Sequence, residues 1–204
     1  MRSLGPVVLE GASVRLEPLR ARHRDGLRAI ASGPGLWDWM PADLSLPGAV
    51  EAFIGEALAA EDRGAEYAFA VVDQASGAVL GSTRYLDVAA AHRGAEIGWT
   101  WYAPAVWGTA VNPEAKLLLL THAFEAWGAI RICLKTDHRN LHSQAAIRKL
   151  GAQHEGTLRS HRIRRDGTFR DTVMFSIVDR EWPAVRSALQ ARLQALRAAE
   201  PGQG

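Results

Sequence analysis

Apolar and polar residues alternate with two different periods along this chain, and the switches between them outline its elements. Val14-Arg15-Leu16-Glu17-Pro18-Leu19 alternates with period two, as an opening strand does. Residues 20 to 31 have helical spacing with Leu27 and Ile30 inward, and Gly33-Pro34-Gly35 breaks the pattern. A second helix is predicted over residues 47 to 62, where Pro47 suits the first turn and Val50, Phe53, Ile54 and Leu58 form an apolar stripe. Tyr67 to Val72 and Ala78 to Leu86 read as two strands joined through Asp73-Gln74-Ala75-Ser76-Gly77. Ala95 to Tyr102 is a further strand. Strict alternation there places Ile97, Trp99 and Trp101 on one face and Glu96, Gly98 and Thr100 on the other.

The period then lengthens. Asn112 is expected to cap a helix, with Pro113 in its first position and Glu114 complementing the positive end. Leu117, Leu120, Ala123, Phe124 and Trp127 continue it, and Gly128 ends it. Ile130 to Thr136 is a strand, Asn140 to Leu150 a helix stopped by Gly151. Residues 153 to 162 and 168 to 178 pair around Asp166-Gly167. A last helix from Glu181 to Ala199 carries Trp182, Val185, Leu189 and Leu193 along one side. Strands at both ends with helices crossing between them predict an α/β fold, a single mixed sheet flanked by helices on both faces. Neither a linker nor a repeat appears. Residues 1–204 read as one domain, with 1–12 and 200–204 peripheral.

Composition narrows the picture. With 204 residues and 48% apolar side chains, the chain fills one core without staples. A single cysteine, Cys133, excludes an intrachain disulfide framework, and its apolar surroundings point to packing rather than nucleophilic chemistry. No Cys or His stands at metal-ligand spacing beside His161, so no metal is expected. No basic-then-apolar leader or membrane-length apolar run is present, which makes the cytoplasm the expected location. A formal net charge of +2 gives little reason to expect nucleic acid. Charge is local instead: Arg159, Arg162, Arg164, Arg165 and Arg170 gather on the last hairpin around His161. Such a cluster is commonly a solvated face, and it is also chemistry that recruits an acidic peptide, a phosphorylated small molecule or RNA.

Two helix starts near the sheet are candidate anion sites. Trp107-Gly108-Thr109-Ala110-Val111 turns into the helix after Asn112, and Arg139-Asn140-Leu141-His142-Ser143 opens the next. Backbone N–H groups from Trp107 to Asn112 can converge on a phosphate, and Gly108 allows close approach. An ordinary turn and cap would have the same local sequence. In order and spacing, however, the pieces resemble the GNAT acetyltransferase family, in particular its RimJ/RimL-like branch, from about Val14 to Leu193. Glu96-Ile97-Gly98 with the following glycine turn, Asn140 with Ser143, Leu150-Gly151-Ala152, Glu155-Gly156, Asp166-Gly167 with Arg170-Asp171-Thr172, and Glu181-Trp182 carry the resemblance. Ala105 and Ala110 stand where the family commonly has Gln or Arg and a second glycine.

The resemblance implies a splayed, mostly antiparallel sheet and an acetyl-CoA-dependent N-acetyltransferase. The acceptor would be an amine of a small molecule or a peptide N-terminus, and a homodimer is compatible with it. The loop Trp107, Gly108, Thr109, Ala110, Val111 and Asn112 would hold the pyrophosphate. Asn140 would lie along the pantetheine arm, or only cap its helix. Trp99, Thr100 and Trp101 would border the thioester, and Ser143 would protonate the departing thiolate. Glu96 is the first candidate for general base, against a solvent-facing or arginine-paired carboxylate, and Asp171 is the second. Trp37, Trp39 and Met40 either border the acceptor or belong to the core, and Arg84 could meet a substrate carboxylate. A non-enzymatic CoA- or acyl-CoA-binding protein would share the phosphate loop and Asn140 but lack productive access for an amine. A purely structural protein would bind no cofactor.

Overall fold

The computed structural model describes residues 4–199. Its strands are β1 (Leu9–Glu10), β2 (Val14–Pro18), β3 (Tyr67–Asp73), β4 (Val79–Ala89), β5 (Gly94–Tyr102), β6 (Arg131–Asp137), β7 (Gln153–Ile163) and β8 (Phe169–Val178). Its helices are α1 (Arg24–Ala31), α2 (Ala49–Asp62), α3 (Val111–Thr121), α4 (Leu141–Arg148) and α5 (Trp182–Ala199), and α3 widens into a π-helical stretch over His122–Trp127. The eight strands form one sheet in the order β1-β2-β3-β4-β5-β6-β8-β7. Every neighbouring pair is antiparallel except β5 and β6. The sheet is therefore mixed and mostly antiparallel, as the order of patterns anticipated. The parallel step is where α3 crosses over.

Two apolar clusters cover the two faces. On one, α3, α4 and α5 bury Leu119, Leu120, Ile147 and Leu189 against Leu16, Tyr85, Ile97, Ile132 and Phe175. On the other, α1 and α2 bury Leu27, Val50, Phe53 and Ile54 against Ala68, Ala70, Val72 and Trp101. The second cover spans only the N-terminal part of the sheet, so that the same face of β6, β8 and β7 lies open. Within residues 1–12, the described part supplies the edge strand β1 and the buried Leu4.

Two local readings are corrected. The helix α3 begins at Val111 with Ala110 in the capping position, so Asn112 lies inside the first turn and does not cap it. Glu114 lies in the first turn, as expected of an acid at the positive end, and has further partners. Its buried carboxylate accepts from the N–H of Ala12 at 2.5 Å and from the Ser13 hydroxyl, and it pairs with Arg197 at 2.8 Å. It ties the chain before β2 and the end of α5 to α3.

The second correction concerns β5. Ser82 pairs with Trp101 but Arg84 pairs with Gly98, so Thr83 faces both Trp99 and Thr100. This bulge holds Trp99 at φ +49, in the left-handed region that costs a non-glycine residue roughly 1–2 kcal/mol. One extra residue inverts the alternation. Ala95, Ile97 and Tyr102 face the α3 side, while Trp99 and Trp101 face α1 and α2. Ile97, Trp99 and Trp101 thus do not share a face.

Candidate active site at the splay between β5 and β6

The two parallel strands separate halfway along. Only Gly94, Ala95 and Glu96 pair, with Arg131, Ile132 and Cys133. Beyond them Ile97 to Tyr102 has no ladder to Leu134–Asp137, and backbone donors and acceptors face a cleft. The expected splay is present, and the bulge at Trp99 sits on its rim.

At the mouth of the cleft, the loop before α3 is fixed by its own bonds. Trp107 N–H donates to the Pro104 carbonyl at 3.1 Å, Thr109 N–H to Val106 at 3.4 Å, and Val111 N–H to the Thr109 hydroxyl at 3.3 Å. The Trp107 indole N–H donates to the Tyr102 carbonyl at 3.0 Å, tying the loop to the end of β5. Between these, the N–H groups of Gly108, Ala110 and Asn112 have no protein acceptor among the described residues. Gly108 holds φ +80, and a Cβ there would meet nothing within 4 Å. The buried Asn112 Oδ1 is also without a partner. Three unused donors at the start of an 11-residue helix fit a pyrophosphate, which needs several convergent N–H groups. The match between these donors and acetyl-CoA is therefore good.

Across the cleft, Asn140 caps α4: its Oδ1 accepts from Ser143 N–H at 2.9 Å. The cap reading is correct, and it leaves the amide nitrogen of Asn140 available. Ser143 Oγ, half-buried in the first turn, has no protein partner among the described residues.

Glu96 lies on the opposite face from α3 and α4. It is 5% exposed, and its carboxylate meets Lys135 Nζ at 2.5 Å. Burial raises its pKa from the ordinary carboxylate value, and Lys135 opposes that rise. A Cβ at Gly98 would lie 2.8 Å from Glu96 Oε1 and 2.6 Å from Leu86 Cδ1, so only glycine lets the carboxylate fold toward the bulge. Glu96 also lines a pocket of about 510 Å³ with Lys135, Cys133, Leu158, Arg162 and Met174. Glu96 and Ser143 thus flank the cleft from opposite faces of the sheet.

Two lysines were not anticipated as parts of the site. Lys135 is the partner of Glu96. Lys116, only 5% exposed on α3, donates to the Thr100 hydroxyl at 2.7 Å and lies 3.4 Å from that of Thr83. No carboxylate pairs with it among the described residues, and burial lowers its pKa to about 7. It braces the residue that follows the strained Trp99. The sequence carried a signal: Lys116 lies in register with Leu119, Leu120 and Ala123, so it is a charge within the apolar stripe.

Other candidates divide. Trp37 is buried core, its ring 4.9 Å from Trp101, whereas Trp39 is exposed. Arg84 is buried between Phe53 and Trp99 and bonds Glu66 at 2.8 Å. Asp171 accepts from Ser160 N–H at 2.7 Å on the hairpin and is spent on structure there. Cys133 is half-buried, and burial raises its pKa, which opposes thiolate chemistry. Among the described residues no acidic, His or Cys cluster could hold a metal, and no helix is long and apolar enough to cross a membrane.

Comparison with known proteins agrees with this geometry. Residues 13–153 match the acetyltransferase (GNAT) domain model. A GCN5-related N-acetyltransferase from Brucella melitensis is 31% identical, superposes with a TM-score of 0.85, and covers 92% of this chain and 85% of its own. A GNAT-family protein from Chromobacterium violaceum is 34% identical with a TM-score of 0.79, covering 90% of this chain and 93% of its own. Mycobacterium smegmatis RimJ, solved with CoA disulfide, shares the fold at 24% identity and a TM-score of 0.81, over 94% of this chain and 97% of its own. No curated protein matches the sequence significantly. With a parallel pair that opens beside a loop of unused N–H donors, and a domain model spanning most of its length, the chain belongs to the GNAT acetyltransferase family, which uses acetyl-CoA.

Proposed function

We propose that the protein is an N-acetyltransferase of the RimJ/RimL-like branch, a cytoplasmic single-domain enzyme. Its acceptor is the amine of a peptide N-terminus or a small molecule, and a homodimer is compatible with this reading. The observation that carries it is the opening of the β5–β6 ladder immediately after Glu96, beside unused donors on the α3 loop. Acetyl-CoA supplies an acetyl group activated as a thioester. The N–H groups of Gly108, Ala110 and Asn112 hold its phosphates. The free amide nitrogen of Asn140 is available to its pantetheine arm. Trp99, Thr100 and Trp101 border the thioester where β5 has left β6, and a backbone N–H of this bulged segment that points into the opening polarises the acetyl carbonyl.

An amine attacks only when neutral. The Glu96 carboxylate, directed over Gly98 toward the cleft, accepts the proton it loses. Its raised pKa makes it a stronger base than an exposed glutamate, and Lys135 opposes the rise. Ser143 Oγ, on the other side of the cleft, gives a proton to the departing sulfur. No covalent acyl-enzyme is needed, consistent with the raised pKa of Cys133.

Calorimetric titration tests the cofactor assignment. Gly108→Glu should weaken acetyl-CoA binding by about a hundredfold or more, since a carboxylate replaces the space for a phosphate. Gly108→Ala isolates the cost of the positive φ, roughly 1 kcal/mol, and should weaken binding about fivefold. Equal affinities for Gly108→Glu and the parent would remove the phosphate loop from the site.

A further inference from the structure

The last hairpin carries an electrostatic conflict that the transfer chemistry leaves unexplained. Arg162 on β7 pairs directly with Arg170 on β8. Side chains opposite each other in an antiparallel pair share a face, and like charges there are destabilising. Neither charge is fully compensated within the protein. Arg162 has no carboxylate partner among the described residues. Arg170 reaches Asp137 only at 4.0 Å, because Arg164 already holds that carboxylate at 2.7 Å. The Nε of Arg170 is buried without a hydrogen bond. Arg162 lines the 510 Å³ pocket together with Glu96, and both arginines are near enough to Glu96 to act on its charge. Two further cations line the pocket and both have carboxylates: Arg131 pairs with Glu155, and Lys135 is shared between Glu96 at 2.5 Å and Asp87 at 3.4 Å. A pocket of this volume is of small-ligand size.

We infer that this pocket receives the acceptor, and that it selects amines carrying a nearby carboxylate, which Arg162 binds, with Arg170 adjoining it across the ladder, while the amine meets Glu96. This rests on the N-acetyltransferase reading above and adds the class of acceptor. A planar guanidinium fork matches a carboxylate, and an anion between the two arginines relieves their repulsion. An acceptor without the acid would leave that repulsion in place.

Matched acceptors test the inference in two arms. Methionine is compared with methioninamide, and the amidated tripeptide Ser-Asp-Ala with Ser-Asn-Ala, using kcat/KM referred to the neutral-amine fraction. In at least one arm the acidic member should be preferred tenfold or more, chiefly through KM, and the preference should shrink at high salt. The arm that shows it separates a free acid from a peptide N-terminus as the source of the carboxylate. Arg162→Gln should abolish most of the preference, and Arg162→Lys should restore part of it. Arg162 is exposed, so these variants are expected to fold. Acetylation that is blind to charge in both arms, or a preference unchanged in Arg162→Gln, would overturn the inference alone. Bound acetyl-CoA with no transfer to any amine would overturn the transferase reading, and this inference with it.

Discussion

The two faces of β5 bury an ionisable group by opposite means. On the open face, Glu96 is paired with Lys135 at 2.5 Å. On the α3 face, Lys116 has only hydroxyls, Thr100 at 2.7 Å and Thr83 at 3.4 Å. A partner of opposite charge offsets part of the cost of burying the Glu96 carboxylate. Lys116 lacks such a partner, and burial lowers its pKa to about 7. One face holds a paired carboxylate, to which the proposed mechanism assigns the proton transfer. The other holds an amine that is close to neutral and braces the strand.

The largest effect should come from removing Lys116. Its folded-state pKa of about 7 lies below the ordinary 10.5, so the unfolded chain binds the proton more tightly between those values. The parent should therefore gain stability as pH rises from about 7 to 10.5, with the penalty fully present below 7. Lys116→Met should be more stable than the parent near pH 7, by on the order of 3 kcal/mol. The gap should close toward pH 10. Denaturant unfolding across pH measures it, and parallel stability curves for the two proteins would show that Lys116 carries no such penalty.

Next is the base. Glu96→Gln should lower kcat/KM by about a hundredfold at pH 6 to 7, with the deficit shrinking as more acceptor amine becomes neutral. Rate profiles at saturating acetyl-CoA decide this. A rate ratio independent of pH would end the comparison between a working charge and a bracing one.

The smallest effect sharpens the pairing itself. Lys135→Met removes the group that opposes the rise in the Glu96 pKa. In the proposed mechanism Glu96 acts deprotonated, so the acid limb of the rate profile should move upward, with the plateau retained. An unmoved limb would mean that the ion pair does not tune the base.

Much of the fold was legible in the chain. Alternating or strand-like runs bounded by turn signals located β2 to β8, and Gly128, Gly151 and Asp166-Gly167 punctuated them where the structure does. The helix stripes of α2 and α5 were also readable, because burying an apolar face demands the same spacing in any fold. The edge strand β1 was not legible: two residues are too few to show a period. The loop around Gly108 and the cap at Asn140 were visible as local chemistry, since a turn or cap depends on residues a few positions apart.

What the sequence determined by itself was the set of elements, their order and the identity of the reactive groups. Which groups meet was decided only in three dimensions. The bulge at Trp99 inverts the faces of β5, and no alternation of residue types announces an inserted residue. Glu96 points toward the cleft because Gly98 leaves room and because Lys135, 39 positions later, arrives on the parallel strand. Lys116 has its pKa lowered to about 7 only when α3 closes over Thr83 and Thr100. Local patterns reflect short-range geometry, whereas charge, burial and facing depend on partners that are distant in the chain and adjacent only after the sheet has formed.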